Sequence, residues 1–103
     1  MTLAIELATG AAIATHLDAI AALRILVFRE YPYLYEGSLD YERRYLASYA
    51  RSPASLVVLA RAGDRVIGAS TALPLTDHSD AVVPPLVRAG FDPGAVCYFG
   101  ESV

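Results

Sequence analysis

Glu101 has the strongest claim to chemistry in this chain. On a strand running from Val96 to Val103 it alternates with Tyr98 and Ser102 and shares a face with Cys97, Phe99 and Val103. A carboxylate among apolar neighbours is poorly solvated and gives up its proton less readily than one in water. Such a group can serve as the base that removes a proton from a substrate ammonium. The plainer alternative is a structural carboxylate satisfied by backbone or by an arginine. Tyr31, Tyr33 and Tyr35 come next, in a loop that also holds Pro32 and Gly37. Loop aromatics give a pocket an apolar wall and a hydroxyl handle, and their ring faces attract a cationic amine. The alternative for them is packing over a helix.

Other groups carry weaker signals. Tyr41, Tyr45 and Tyr49 recur at i, i+4 and i+8, which is the pattern of a buried helix face. Glu30 and Glu36 flank the tyrosine loop and could draw a cation, although solvated loop charge is the default. Asp77, His78 and Asp80 are hard or borderline ligands in one short run, and no helical or strand spacing converges them, so no metal site is expected. His16 reads as surface. Cys97 has no histidine in a suggestive setting, and a buried strand cysteine is usually inert.

These residues need a scaffold. Leu3, Ile5 and Leu7 alternate with smaller or polar residues, a short strand ended by Gly10. Thr15 and Asp18 have capping-box spacing before Leu17, Ile20, Leu23, Leu26 and Val27, which repeat as in a helix. Ile25 and Phe28 widen the apolar arc, so this helix is expected to be covered on more than one side. Pro32 closes it. Ser38 caps a second helix with Asp40 and Glu42 in its first turn, and Ser52-Pro53 stops it. Two β-rich runs, 55–62 and 65–75, flank Gly63-Asp64 and read as a hairpin. Pro84-Pro85 opens a short helix through Arg88, with Gly90 as its stop. Asp92-Pro93-Gly94 is a turn into the last strand. The order is β-α-α-β-β-(α)-β, an α+β (mixed α/β) fold with one mixed sheet flanked by helices.

Composition narrows the classes further. The 103 residues make one domain, 55% of them hydrophobic, with a net charge of −3 and no lysine. That excludes a disordered chain and gives no basic stripe for nucleic acid. The high apolar fraction suits a core covered on both faces, or a part of a larger domain. One cysteine favours a reducing compartment. The N-terminal stretch lacks a basic segment and is broken by Glu6, His16 and Asp18, so neither a signal peptide nor a membrane helix is expected and the reading is cytoplasmic.

The element order resembles the front of the GNAT superfamily of acetyl-CoA-dependent N-acetyltransferases. Phe28-Arg29-Glu30-Tyr31-Pro32-Tyr33-Leu34-Tyr35 resembles the variable substrate loop of some bacterial members. Arg61-Ala62-Gly63-Asp64-Arg65-Val66-Ile67-Gly68-Ala69 is similar to the family's second-to-third strand hairpin. Tyr98-Phe99-Gly100-Glu101-Ser102-Val103 looks like its fourth strand. The resemblance implies acetyl transfer from acetyl-CoA, as co-substrate, to a primary amine on a small molecule or peptide. It makes Glu101 the base, acting directly or through water. It places Ser102 and Val103 where backbone groups meet the acetyl and pantetheine portion.

The family's Arg/Gln-x-x-Gly-x-Gly/Ala loop, which holds the cofactor pyrophosphate on backbone amides, has no counterpart here; no Gly-x-Gly occurs. The chain is therefore expected to be the N-terminal portion of such a domain, inactive alone, with an open edge along its last strand. The alternative is a small ligand-sensing or partner-binding α/β domain that forms a homodimer through that strand.

Overall fold

A computed structural model describes residues 2–78 and 83–103. Four strands form one antiparallel sheet in the order β1-β2-β3-β4: β1 (Leu3–Thr9), β2 (Leu56–Ala62), β3 (Arg65–Pro74) and β4 (Cys97–Ser102). Two longer helices, α1 (Leu17–Phe28) and α2 (Leu39–Arg51), pack against each other, and α1 lies on β3. A short α3 (Val83–Arg88) precedes β4. The fold is α+β, and its sheet is wholly antiparallel rather than mixed.

The hairpin forms where the turn chemistry put it. Gly63 takes φ +61, a conformation L side chains resist, so glycine fits the corner between β2 and β3. Gly10 takes φ +54 where β1 ends. Ser38 caps α2, its Oγ accepting the Tyr41 N–H at 3.2 Å.

The Thr15–Asp18 capping box does not form. A 3-10 segment, Gly10–His16, runs straight into α1, and the Thr15 hydroxyl donates back to the Ala12 carbonyl instead. Together Gly10–Phe28 is 19 residues, long and apolar enough to cross a membrane by length and composition alone. The same stretch supplies Ile13, Ile20 and Ala21 to the core, with Leu46, Tyr49, Val57, Leu59, Ala69 and Leu73. Each large aliphatic side chain buried there contributes about 1.5–3 kcal/mol.

The wide apolar arc of α1 is not covered all round, since Leu26 and Val27 remain exposed. The sheet is likewise two-faced. Glu6 and Ala8 turn toward the helices, while Leu3, Ile5 and Leu7 lie exposed on the other face. The excess hydrophobicity of the composition therefore sits on an open sheet face and one helix flank, and β4 is an edge strand.

β4 carries a bulge. Ser70 pairs with Ser102 and Ala72 with Phe99, so Thr71 alone faces both Gly100 and Glu101. The extra residue breaks strict alternation. Tyr98 and Glu101 face the helices, while Phe99 and Ser102 face out. The expectation that Glu101 shares a face with Cys97 and Phe99 is corrected by this one residue. Cys97 is likewise exposed, not buried.

Candidate functional site

The bulge turns Glu101 under the helices, where it does not meet an apolar environment. Its Oε1 accepts a bond from Arg24 Nη1, and its Oε2 accepts the Thr71 hydroxyl at 2.6 Å. Thr71 Oγ1 in turn accepts the Glu101 N–H at 3.0 Å, which pins the bulge. The Glu101 side chain is 3% exposed. This geometry corresponds to the alternative in which an arginine satisfies the carboxylate.

Arg24 reaches further. Its Nε donates to Glu42 Oε2 at 2.5 Å, and the Glu42 side chain is fully buried. The Tyr35 hydroxyl donates to the other Glu42 oxygen at 2.8 Å. The guanidinium carbon lies 4.4 Å from the Tyr45 ring centre and 5.2 Å from that of Phe28. Two carboxylates thus share one arginine. Removing charge from water is costly unless every lone pair and proton finds a partner, and here each carboxylate oxygen accepts a protein donor.

The local sequence explains the assembly. Arg24 and Phe28 are i, i+4 on α1, and Tyr41 and Tyr45 are i, i+4 on α2, so α1 offers a guanidinium beside a ring and α2 a pair of stacked rings. Glu42 sits in the first turn of α2, where free N–H groups favour an anion. Burial opposes the charge on Arg24, but the bond to Glu42 and the charge on Glu101 outweigh it, so the guanidinium holds its proton more tightly than in water. Burial and the bond to Glu42 push the Tyr35 phenol up to about 12. Burial, then the Glu101 charge, raises Tyr45. Burial pushes Tyr49 up to about 12. These phenols are protonated at neutral pH.

A cavity of about 270 Å³ lies over this cluster, lined by Arg24, Phe28, Tyr33, Tyr35 and Tyr41. Phe28 and Tyr33 meet edge to face at 5.0 Å, and Tyr35 and Tyr41 do so at 6.4 Å. Of the three loop tyrosines named from sequence, Tyr33 and Tyr35 line the cavity. Tyr31 is 86% exposed and does not. Glu101 joins the site from beneath, through Arg24. Arg24 and Thr71 were missed by sequence reasoning, Glu42 was read only as a first-turn charge and Phe28 only as part of the apolar arc and the loop segment, and Tyr41, expected on a buried helix face, is half exposed. The signal for Arg24 was there: a single cation deep in the apolar run Leu17–Phe28 must find a buried partner.

The other sequence candidates lie elsewhere. Asp77 accepts the Ser52 hydroxyl at 2.5 Å, and His78 packs on Tyr98 with ring centres 4.1 Å apart. Asp80 lies outside the described residues. His16 sits 3.8 Å from Glu6.

The residues assigned to acetyl-CoA fit it only in part. Both backbone groups of Val103 bond to Ala69, at 2.8 Å each, so its N–H has no hydrogen bond to give a cofactor. With that pair bonded, the backbone groups of Ser102 point to the open edge of β4. The Ser102 hydroxyl lies 2.9 Å from that of Ser70.

No family model, curated protein or solved structure matches the chain.

Proposed function

We propose that this chain is the amine-binding side of a GNAT-type N-acetyltransferase. The observation that carries the reading is the aromatic cavity seated on a buried cluster of two carboxylates and one arginine that includes Glu101 of the bulged fourth strand. The element order, with two helices between the first strand and an antiparallel hairpin, supports it.

In this reading the carboxylates draw the substrate ammonium and the ring faces hold its body. Holding the amine in one orientation supplies much of the catalytic advantage of such a site. Arg24, Thr71 and Tyr45 take three of the roughly four lone-pair positions of Glu101. Glu101 lies outside the cavity lining, so in this reading a water in the fourth position would relay the ammonium proton to it. Acetyl-CoA would supply the acetyl group. The Val103 N–H is already given to Ala69 and would not hold it. The acceptor is a primary amine on a small molecule or peptide, and the setting is cytoplasmic.

Reading the coding DNA past codon 103 tests this. An Arg/Gln-x-x-Gly-x-Gly/Ala loop leading into a helix within about fifteen codons is the expected result. A stop after Val103 would overturn the reading in favour of a binding domain.

A further inference from the structure

The cavity says which amine. Its wall is made of four rings, Phe28, Tyr33, Tyr35 and Tyr41, and one guanidinium, Arg24. Two of its four polar side chains are committed already: the Tyr35 hydroxyl donates to Glu42, and Arg24 is forked between Glu42 and Glu101. Beyond the Tyr33 and Tyr41 hydroxyls, what the wall offers a ligand is ring surface. A ligand rich in hydroxyls or with several ammonium groups would lose hydration there and find few partners. An apolar or aromatic body loses nothing by leaving water and can pack edge to face, as the rings already do with each other.

Charge sets the second requirement. Glu42 and Glu101 outnumber Arg24 by one, and both are buried beneath the cavity. Their field is little screened by water there. Ring faces favour a cation as well. Size sets the third. About 270 Å³ is at or below the small end of ligand pockets, which run roughly 300–1,000 Å³. That admits one ring and a short arm, and not an oligosaccharide or a folded peptide.

We infer that the cavity takes a small arylalkyl or bulky alkyl primary amine, its apolar body between the Tyr33 and Tyr41 rings and its ammonium toward the Glu42–Arg24–Glu101 cluster. The inference rests on the amine-acceptor reading for its meaning in catalysis, but the binding it describes is independent of acetyl transfer.

Calorimetric titration of the protein without acetyl-CoA tests it. The probes are phenethylamine, putrescine, glucosamine and the uncharged 2-phenylethanol. Phenethylamine should bind about tenfold or more tightly than each of the others. Tyr33→Ala and Tyr41→Ala should each weaken it several-fold, and Tyr31→Ala should leave it unchanged. All three are exposed, so the fold should survive their loss. Equal binding of putrescine or glucosamine would overturn the inference, and so would binding indifferent to both Tyr33→Ala and Tyr41→Ala. Phenethylamine bound here but never acetylated by a gene product that carries both these residues and a pyrophosphate loop would support this site and sink the acetyltransferase reading. Another amine acetylated while phenethylamine fails to bind would do the reverse.

Discussion

Glu42 on α2 and Glu101 on β4 are joined through one guanidinium, that of Arg24, which bonds an oxygen of each. The join ties both long helices to the edge strand, and the tyrosine loop to both, because Tyr35 donates into Glu42. Removing the shared partner should be severe. Arg24→Ala leaves two buried carboxylates unpaired, and breaking a buried pair costs about 3–5 kcal/mol. The urea midpoint should fall accordingly. A loss under about 1 kcal/mol would show that the cluster is not buried as described.

Gly100 and Tyr49 make a second coupled pair. A Cβ at Gly100 would lie 2.0 Å from the Tyr49 hydroxyl and 2.6 Å from Thr71 Oγ1. Tyr49 is fully buried with its hydroxyl beside Thr71, so it has little room to move. Gly100→Ala should cost about 1–3 kcal/mol through overpacking. Adding Tyr49→Phe removes the nearest atom in the way and should restore part of that loss. The two changes are then non-additive in a double-mutant cycle of denaturation midpoints. Strict additivity would mean the bulge relaxes elsewhere.

Alkaline stability follows from the raised phenols. Tyr35 and Tyr49 are pushed from 10.0 to about 12 in the folded protein. A group whose folded value is raised contributes stability that is fully present below its unfolded value and lost as pH rises through the folded one. Stability should therefore decline between pH 10 and about 12. Tyr35→Phe should make the decline shallower, since the Tyr35 contribution is gone. Thermal melts across that window read the effect, and an unchanged slope in Tyr35→Phe would contradict the Tyr35–Glu42 bond.

The acidic side has the opposite sign. Bonding to Arg43 lowers Asp18, and bonding to Arg61 lowers Glu6. Their stabilising effect is present above the unfolded carboxylate range and is lost as pH falls through the folded values. Both groups are solvent-exposed and screened by salt. Asp18→Asn should therefore shift the acid melting curve only slightly, and less so at high salt. A large shift would place Asp18 in a buried network.

Much of the scaffold could be read from local chemistry. Gly63-Asp64, Ser38 and Ser52-Pro53 each mark a boundary that the structure keeps, because turns and caps are decided by neighbours in sequence. The Thr15 cap failed for a tertiary reason: the 3-10 segment before α1 buries Ile13 and carries the chain into the helix without a break. The site was legible only in part. Tyr33, Tyr35 and Glu101 could be named by type and position, but their meeting point is Arg24, which is far from Glu101 in sequence. The bulge at Gly100 also inverts the face that simple alternation assigns to Glu101. Register shifts of one residue depend on pairing across strands, here on Thr71, and leave little trace in the strand that bulges.

Acetyl transfer itself is the central claim. The direct measurement is thiol release from acetyl-CoA by the gene product that carries these residues, with phenethylamine as acceptor and Glu101→Gln as the paired variant. The account predicts amine-dependent thiol release that falls about 100-fold or more in Glu101→Gln, with the variant still folded by circular dichroism. Thiol release absent with every primary amine tried, or undiminished in Glu101→Gln, would contradict it.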